Sequence, residues 1–263
     1  MKKTIWWLIL ILGLGLVAAI VYHALQKTRE EPVQQLPPPV VAPPAPKPSE
    51  PQTRFPIPQE SREQPLPALN ESDSAIREAL RGLWSGNTLE RLFQLDDLIR
   101  RVVATIDNLP RKKLPLRLLP VKQAPGKFLT TGKDQTLAIS RDNAARYGAY
   151  VRMADTVDTR KLAALYVNFY PLFQQAYQDL GYPNGHFNDR LIEVIDDLLA
   201  SPEVQSPVKL VRPKVFYAFA DPELEARSAG QKILMRIGNE NATRIKAKLR
   251  EIRDELTHRI PKQ

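Results

Sequence analysis

The chain has 263 residues, 38 Lys and Arg against 29 Asp and Glu, three His and no Cys, for a formal net charge of +9. The absence of thiols excludes disulfides, cysteine nucleophiles and thiolate metal sites together, and the histidines form no ligand pair, so neither metal nor cofactor is expected. The positive excess points to an anionic neighbour, such as a lipid surface, a cell-wall polymer or a nucleic acid.

Residues 5–25 form an unbroken uncharged run, Ile5-Trp6-Trp7 through Tyr22-His23-Ala24-Leu25. As a helix rising about 1.5 Å per residue it would reach roughly 32 Å, matching a hydrocarbon core of about 30 Å. Trp6, Trp7, Tyr22 and His23 fall at the two headgroup layers. The rival reading is a cleaved secretory signal ending near Val17-Ala18-Ala19. The apolar run continues past that point and is longer than such signals are. Residues 1–29 are therefore expected to be a single-pass anchor. With so short an end ahead of it, the N-terminus is expected in the cytoplasm of a bacterial inner membrane and the bulk of the chain in the periplasm.

Residues 30–66 follow as a spacer. Thirteen of the 24 prolines lie between Glu30 and Pro67. Proline supplies no N–H and biases its predecessor toward extended conformations, so a polyproline-rich disordered tether is expected. Serving as a ligand for a proline-binding module is its other reading.

Residues 67–263 read as a mainly α domain with a small β-hairpin. Ser72 and Asp73 offer N-caps for a helix with Ile76, Leu80 and Leu83 on one face. A second helical pattern runs from Leu89 to Leu109, with a break near Gln94, until Pro110 stops it. Prolines 110, 115, 120 and 125 then exclude a helix. The window 110–133 holds Arg111, Lys112, Lys113, Arg117, Lys122, Lys127 and Lys133 with no acid. Across 68–263 there are 31 basic and 24 acidic side chains, a balance of +7, so this arm carries the whole excess. Its aliphatic residues are expected to face the domain. Phe128–Thr131 and Thr136–Ile139 flank a Gly-Lys-Asp-Gln turn and suggest the hairpin.

Helical spacing resumes after Ser140 and again after Asp158 or Thr159. The latter helix is rich in Tyr and Phe, contains Pro171 and ends at Gly181. Helix-spaced aromatics of this kind are core by default. The loop Tyr182–His186 leads into a helix with Leu191, Ile195 and Leu198 inward. Residues 208–219 read as extended, Asp221-Pro222 starts a helix, and Ile245, Leu249, Ile252 and Leu256 line the last one.

Several blocks resemble a proteobacterial family of membrane-anchored proteins classed as domain of unknown function 3014. They are Leu98-Ile99-Arg100-Arg101, Asp107-Asn108-Leu109-Pro110, Tyr170-Pro171-Leu172-Phe173-Gln174-Gln175-Ala176-Tyr177, Phe187-Asn188-Asp189-Arg190-Leu191 and Phe219-Ala220-Asp221-Pro222-Glu223-Leu224-Glu225. The resemblance implies a span, a spacer and a domain of no established activity, with no catalytic residues to carry over.

Two candidate sites follow from the residues themselves. Arg111, Lys112, Lys113, Arg117, Lys122 and Lys127 could bind an anionic partner, or simply be solvated. The loop with Tyr182, Asn184, His186, Asp189 and Arg190 is the only clustered chemistry. There Asn188 or Asp189 could equally be an N-cap, with Arg190 its ion-pair partner. Phosphate-loop spacing is absent, and Asp96-Asp97 and Asp196-Asp197 diverge on a helix. The favoured expectation is a non-enzymatic envelope protein displaying a helical interaction domain to an envelope protein or anionic component. The alternative is an envelope-acting hydrolase or transferase using the Tyr182–Arg190 loop. Nucleic-acid binding is disfavoured, because the arm lacks interleaved aromatics.

Overall fold

A computed structural model of the chain describes residues 52–57, 65–84 and 86–258. The expected membrane span and most of the spacer lie outside the described residues. Among the described residues no helix is long and apolar enough to cross a membrane.

A 3-10 turn, Leu69–Glu71, leads into α1, Asp73–Arg81, which buries Ile76 and Leu80 as its 4-residue spacing predicts. The next helical pattern is split: α2 spans Thr88–Leu92 and α3 spans Leu98–Asn108. At the break, Asp97 takes a left-handed φ of 51°. The open N–H groups of Asp97 and Leu98 are capped by the Asp73 carboxylate at 2.8 and 3.1 Å. Asp73 therefore caps a helix 24 residues further on rather than its own.

The basic arm lies along this part of the body, with a 3-10 turn at Leu116–Leu118. Val121 bridges Phe93, Gln94 N–H donates to the Pro120 carbonyl at 2.8 Å, and Lys122 N–H donates to the Leu92 carbonyl at 2.8 Å. Leu114, Leu118, Leu119 and Val121 are half-buried as expected, whereas Leu116 is exposed. The hairpin forms as β1, Thr130–Thr131, paired antiparallel with β2, Ala138–Ile139. Gly132 at its turn has a φ of 71°, and a Cβ there would lie 2.3 Å from the Thr136 carbonyl, so only glycine fits.

A 3-10 stretch, Arg141–Tyr147, precedes α4, Gly148–Thr156. Helix α5, Thr159–Asp179, is capped by Asp158, which accepts from Lys161 N–H, and it continues through Pro171 as one helix. Helices α3, α6 (Phe187–Leu199) and α9 (Asn239–His258) pack on α5. Between them lies the main core: Ile99, Val103, Tyr166, Phe169, Phe173, Tyr177, Phe187, Ile192, Ile195 and Leu256. Phe173 and Phe187 stack there at 5.8 Å and 4°.

A second strand pair, β3 (Leu210–Val211) and β4 (Ala218–Phe219), forms from the stretch read as extended. The short α7, Pro222–Glu225, and α8, Ala229–Arg236, follow. Val204, Leu210, Phe219 and Met235 make a smaller core beneath the strands. The described residues form one compact unit, and it is mainly helical.

Candidate functional site

The Tyr182–Arg190 loop joins α5 to α6 and packs against the C-terminal end of α3. The turn depends on Gly185, where a Cβ would come within 2.9 Å of the Tyr177 ring and 3.2 Å of Tyr182 Cβ. Its absence lets the Tyr177 and Tyr182 rings stack at 4.6 Å and 17°. Helix α6 then begins with His186 at its N-cap position, without a side-chain cap of its own. The first open amide, Phe187 N–H, donates instead to Gln174 Oε1 at 2.8 Å, while Gln174 Nε2 donates to the Gly185 carbonyl at 2.7 Å. The expected N-cap role for Asn188 or Asp189 is thus overturned. Gln174, reaching across from α5, fills it, and both residues sit inside the first turn with their side chains available elsewhere.

Asp189 uses that freedom to hold the chain's own residues 53–55. Its carboxylate accepts Thr53 Oγ1 at 3.2 Å, Arg54 N–H at 2.9 Å and Phe55 N–H at 2.8 Å. Asn188, fully buried, donates from Nδ2 to the Phe55 carbonyl at 2.8 Å and accepts the Tyr166 hydroxyl at 3.2 Å. The held segment has the alternation of a strand: Thr53, Phe55 and Ile57 turn inward, while Gln52, Arg54 and Pro56 face out. Phe55 and Ile57 pack against the main core. Sequence reasoning placed this segment in the spacer. The available signal was Phe55, the only aromatic residue between Glu30 and Pro65.

Arg190 does not pair with Asp189. It serves Asp107, on the last turn of α3, whose side chain is only 3% exposed. Arg190 Nη2 approaches Asp107 Oδ1 at 3.2 Å and donates to the Asp107 carbonyl at 2.8 Å, and Nη1 meets Glu193 at 3.1 Å. Arg111 Nη2 donates to Asp107 Oδ2 at 2.5 Å and to the Tyr182 hydroxyl at 3.0 Å, and Tyr182 in turn donates to Asp107 at 3.3 Å. One buried carboxylate is thus neutralised by two guanidinium groups and a phenol, as a desolvated charge must be. Asp107 was not a predicted site residue, because its partners lie up to 83 positions away.

These groups border a cavity of about 290 Å³, lined by Arg54, Asp107, Tyr177, Tyr182, His186, Asp189, Arg190 and Glu193. Of the predicted loop residues, Tyr182, His186, Asp189 and Arg190 meet there; Asn184 is exposed and does not line it. Burial pushes the Tyr177 hydroxyl up, with Arg190 pulling the other way. Burial also raises Tyr166 well above its ordinary value and Tyr170 to about 12. These three phenols stay protonated at neutral pH, and Tyr166 and Tyr170 donate to Asn188 Oδ1 at 3.2 Å and Gln174 Oε1 at 3.0 Å. The arrangement ties distant chain segments together, since Asp107 is met by two guanidinium groups and Asp189 by two main-chain amides and a hydroxyl. Among the described residues no group of three acidic or imidazole side chains is placed to hold a metal ion.

The predicted arm residues divide into two sets. Arg111 belongs to the Asp107 network, Lys112 Nζ donates to the Ala226 carbonyl, and Lys122 Nζ donates to the Glu90 carbonyl at 2.7 Å. The side chains of Lys113, Arg117 and Lys127 are exposed and make no ion pair among the described residues.

No curated protein and no solved structure matches the chain. A family model described as "Protein of unknown function (DUF3014)" matches residues 98–253, which holds α3 through most of α9 and every residue of the Asp107–Arg190 network. The match spans more than half of the chain, and the protein therefore belongs to this family.

Proposed function

We propose that the protein is a non-enzymatic, single-pass inner-membrane protein that displays a helical interaction domain in the periplasm on a proline-rich spacer. The observation that carries the interaction reading is the Asp189–Asn188 grip on residues 53–55. A carboxylate occupied by two main-chain amides and a hydroxyl is arranged to hold a bend of main chain, not to take a proton from a substrate. The hydrolase or transferase reading would need Asp189 or Asp107 poised with an open coordination side, and both are filled from within the chain. The anchored reading rests on the uncharged run 5–25 and its interfacial aromatics.

The partner in this reading is an envelope protein or an anionic envelope component. Lys113, Arg117 and Lys127 are the arm residues available to it, because Arg111, Lys112 and Lys122 already hold carbonyls or Asp107. Paired C-terminal fusions test the compartment: active alkaline phosphatase with dark green fluorescent protein supports export, and the reverse pattern overturns it. For the partner, changing Lys113, Arg117 and Lys127 to Ser in the full chain should weaken salt-sensitive capture of cell-envelope material. Capture unchanged at low and high salt would remove the electrostatic role.

A further inference from the structure

The link between β3 and β4, Arg212–Tyr217, carries the most exposed large apolar side chains among the described residues. Phe216 is 83% exposed and Val215 69%. Apolar area of that size is driven out of water wherever a less polar phase is offered. The link is not slack. Arg212 Nε donates to the Val215 carbonyl at 3.3 Å, and its guanidinium lies over the Tyr217 ring at 5.5 Å. Tyr217 rests on Phe128 at 5.7 Å, and its carbonyl accepts Arg236 Nη2 at 3.2 Å. One residue beyond β3 and one before β4 are thus fastened to the body, and the Val215-Phe216 pair is left as a braced projection.

Along the tip itself the charges are of one sign: Arg212 and Lys214 are exposed, and no acid occurs between Val204 and Ala220. At its base Lys209 shares a cavity wall with Glu203 and Asp221. Lys127 of the basic arm precedes Phe128, the ring on which Tyr217 rests. An aromatic tip beside flexible cations fits the boundary of an anionic bilayer, where the ring sits among headgroups and the cations meet phosphate. A protein partner would instead call for a rim of mixed sign and paired polar groups.

We propose that the β3–β4 tip is a membrane-contact element, with Val215 and Phe216 entering the interfacial layer of an anionic bilayer while Arg212 and Lys214 bind its headgroups. The proposal goes beyond the anchored reading, since a chain without an anchor would still meet lipid through this tip. The full-length chain contains no cysteine, so Val215→Cys places one environment-sensitive fluorophore beside an intact Phe216. With phosphatidylcholine–phosphatidylglycerol vesicles the label should shift to the blue, brighten several-fold and be quenched by brominated lipid. The response should fall with high salt, with Arg212→Ser/Lys214→Ser and with Phe216→Ser. A label at Leu180→Cys, a position 43% exposed on the helical body, should remain aqueous.

A label at 215 that stays aqueous on anionic vesicles overturns the proposal. So does a response that survives Phe216→Ser, or one that is equal on pure phosphatidylcholine. Co-flotation of the Arg212→Ser/Lys214→Ser/Phe216→Ser chain, whose tip is disabled, reports the N-terminal run by itself, so failure of the anchor and failure of the tip are told apart.

Discussion

Two proline-containing stretches outside the helices lie on the same helical body, and they are attached by different kinds of group. Residues 53–55 are held by side chains, the Asp189 carboxylate and the Asn188 amide. Residues 120–122 are held by main-chain bonds to residues 92 and 94 around the Phe93–Val121 bridge. A grip made by two side chains can be removed by one substitution; a grip made by backbone survives almost any. The first arrangement is therefore open to change through sequence, and the second is part of the scaffold.

Substitutions can break or sharpen this contrast. The largest effect is expected for Asn188→Ala, which removes the bond to the Phe55 carbonyl and leaves the buried Tyr166 hydroxyl without its acceptor. The loss should be about 2–3 kcal/mol in urea unfolding. A loss below about 0.5 kcal/mol would show that the buried amide is not the keystone of the grip. Asp189→Ala should come next, at about 1–2 kcal/mol, because the amides it frees can turn to water. Trypsin cleavage after Arg54 should speed up markedly, and an unchanged rate would mean the segment stays docked without the carboxylate.

Phe55→Ala removes a half-buried ring and should cost about 1 kcal/mol, with a smaller gain in Arg54 cleavage. The smallest effect is expected for Gln94→Ala. Its N–H, not its side chain, holds the Pro120 carbonyl, so stability should stay within about 0.5 kcal/mol of the parent. A larger loss there would mean that the two attachments do not differ in kind.

Much of the helical body was legible from spacing. Ile76 and Leu80, the Asp158 cap, the hairpin around Gly132 and the terminal helix with Leu256 on its inner face all lie where apolar period and turn chemistry place them. The site was only half legible. The cluster Tyr182, His186, Asp189 and Arg190 is local in sequence and was readable as a cluster. Its meaning was not, because each residue's partner is distant: Asp107 for Arg190, Thr53 to Phe55 for Asp189. Asp73 shows the same limit. Its position before a helix suggests a local cap, yet its carboxylate is spent on the start of α3. Local rules identify which groups can cap, but tertiary packing chooses which end they reach.

The Asp189 grip also decides where a stable fragment can begin. A chain cut just after Phe55 would leave the Asp189 carboxylate and the Asn188 amide without the groups they hold. The upstream limit of the folding unit is thereby written in a helix 133 to 136 positions further along the chain.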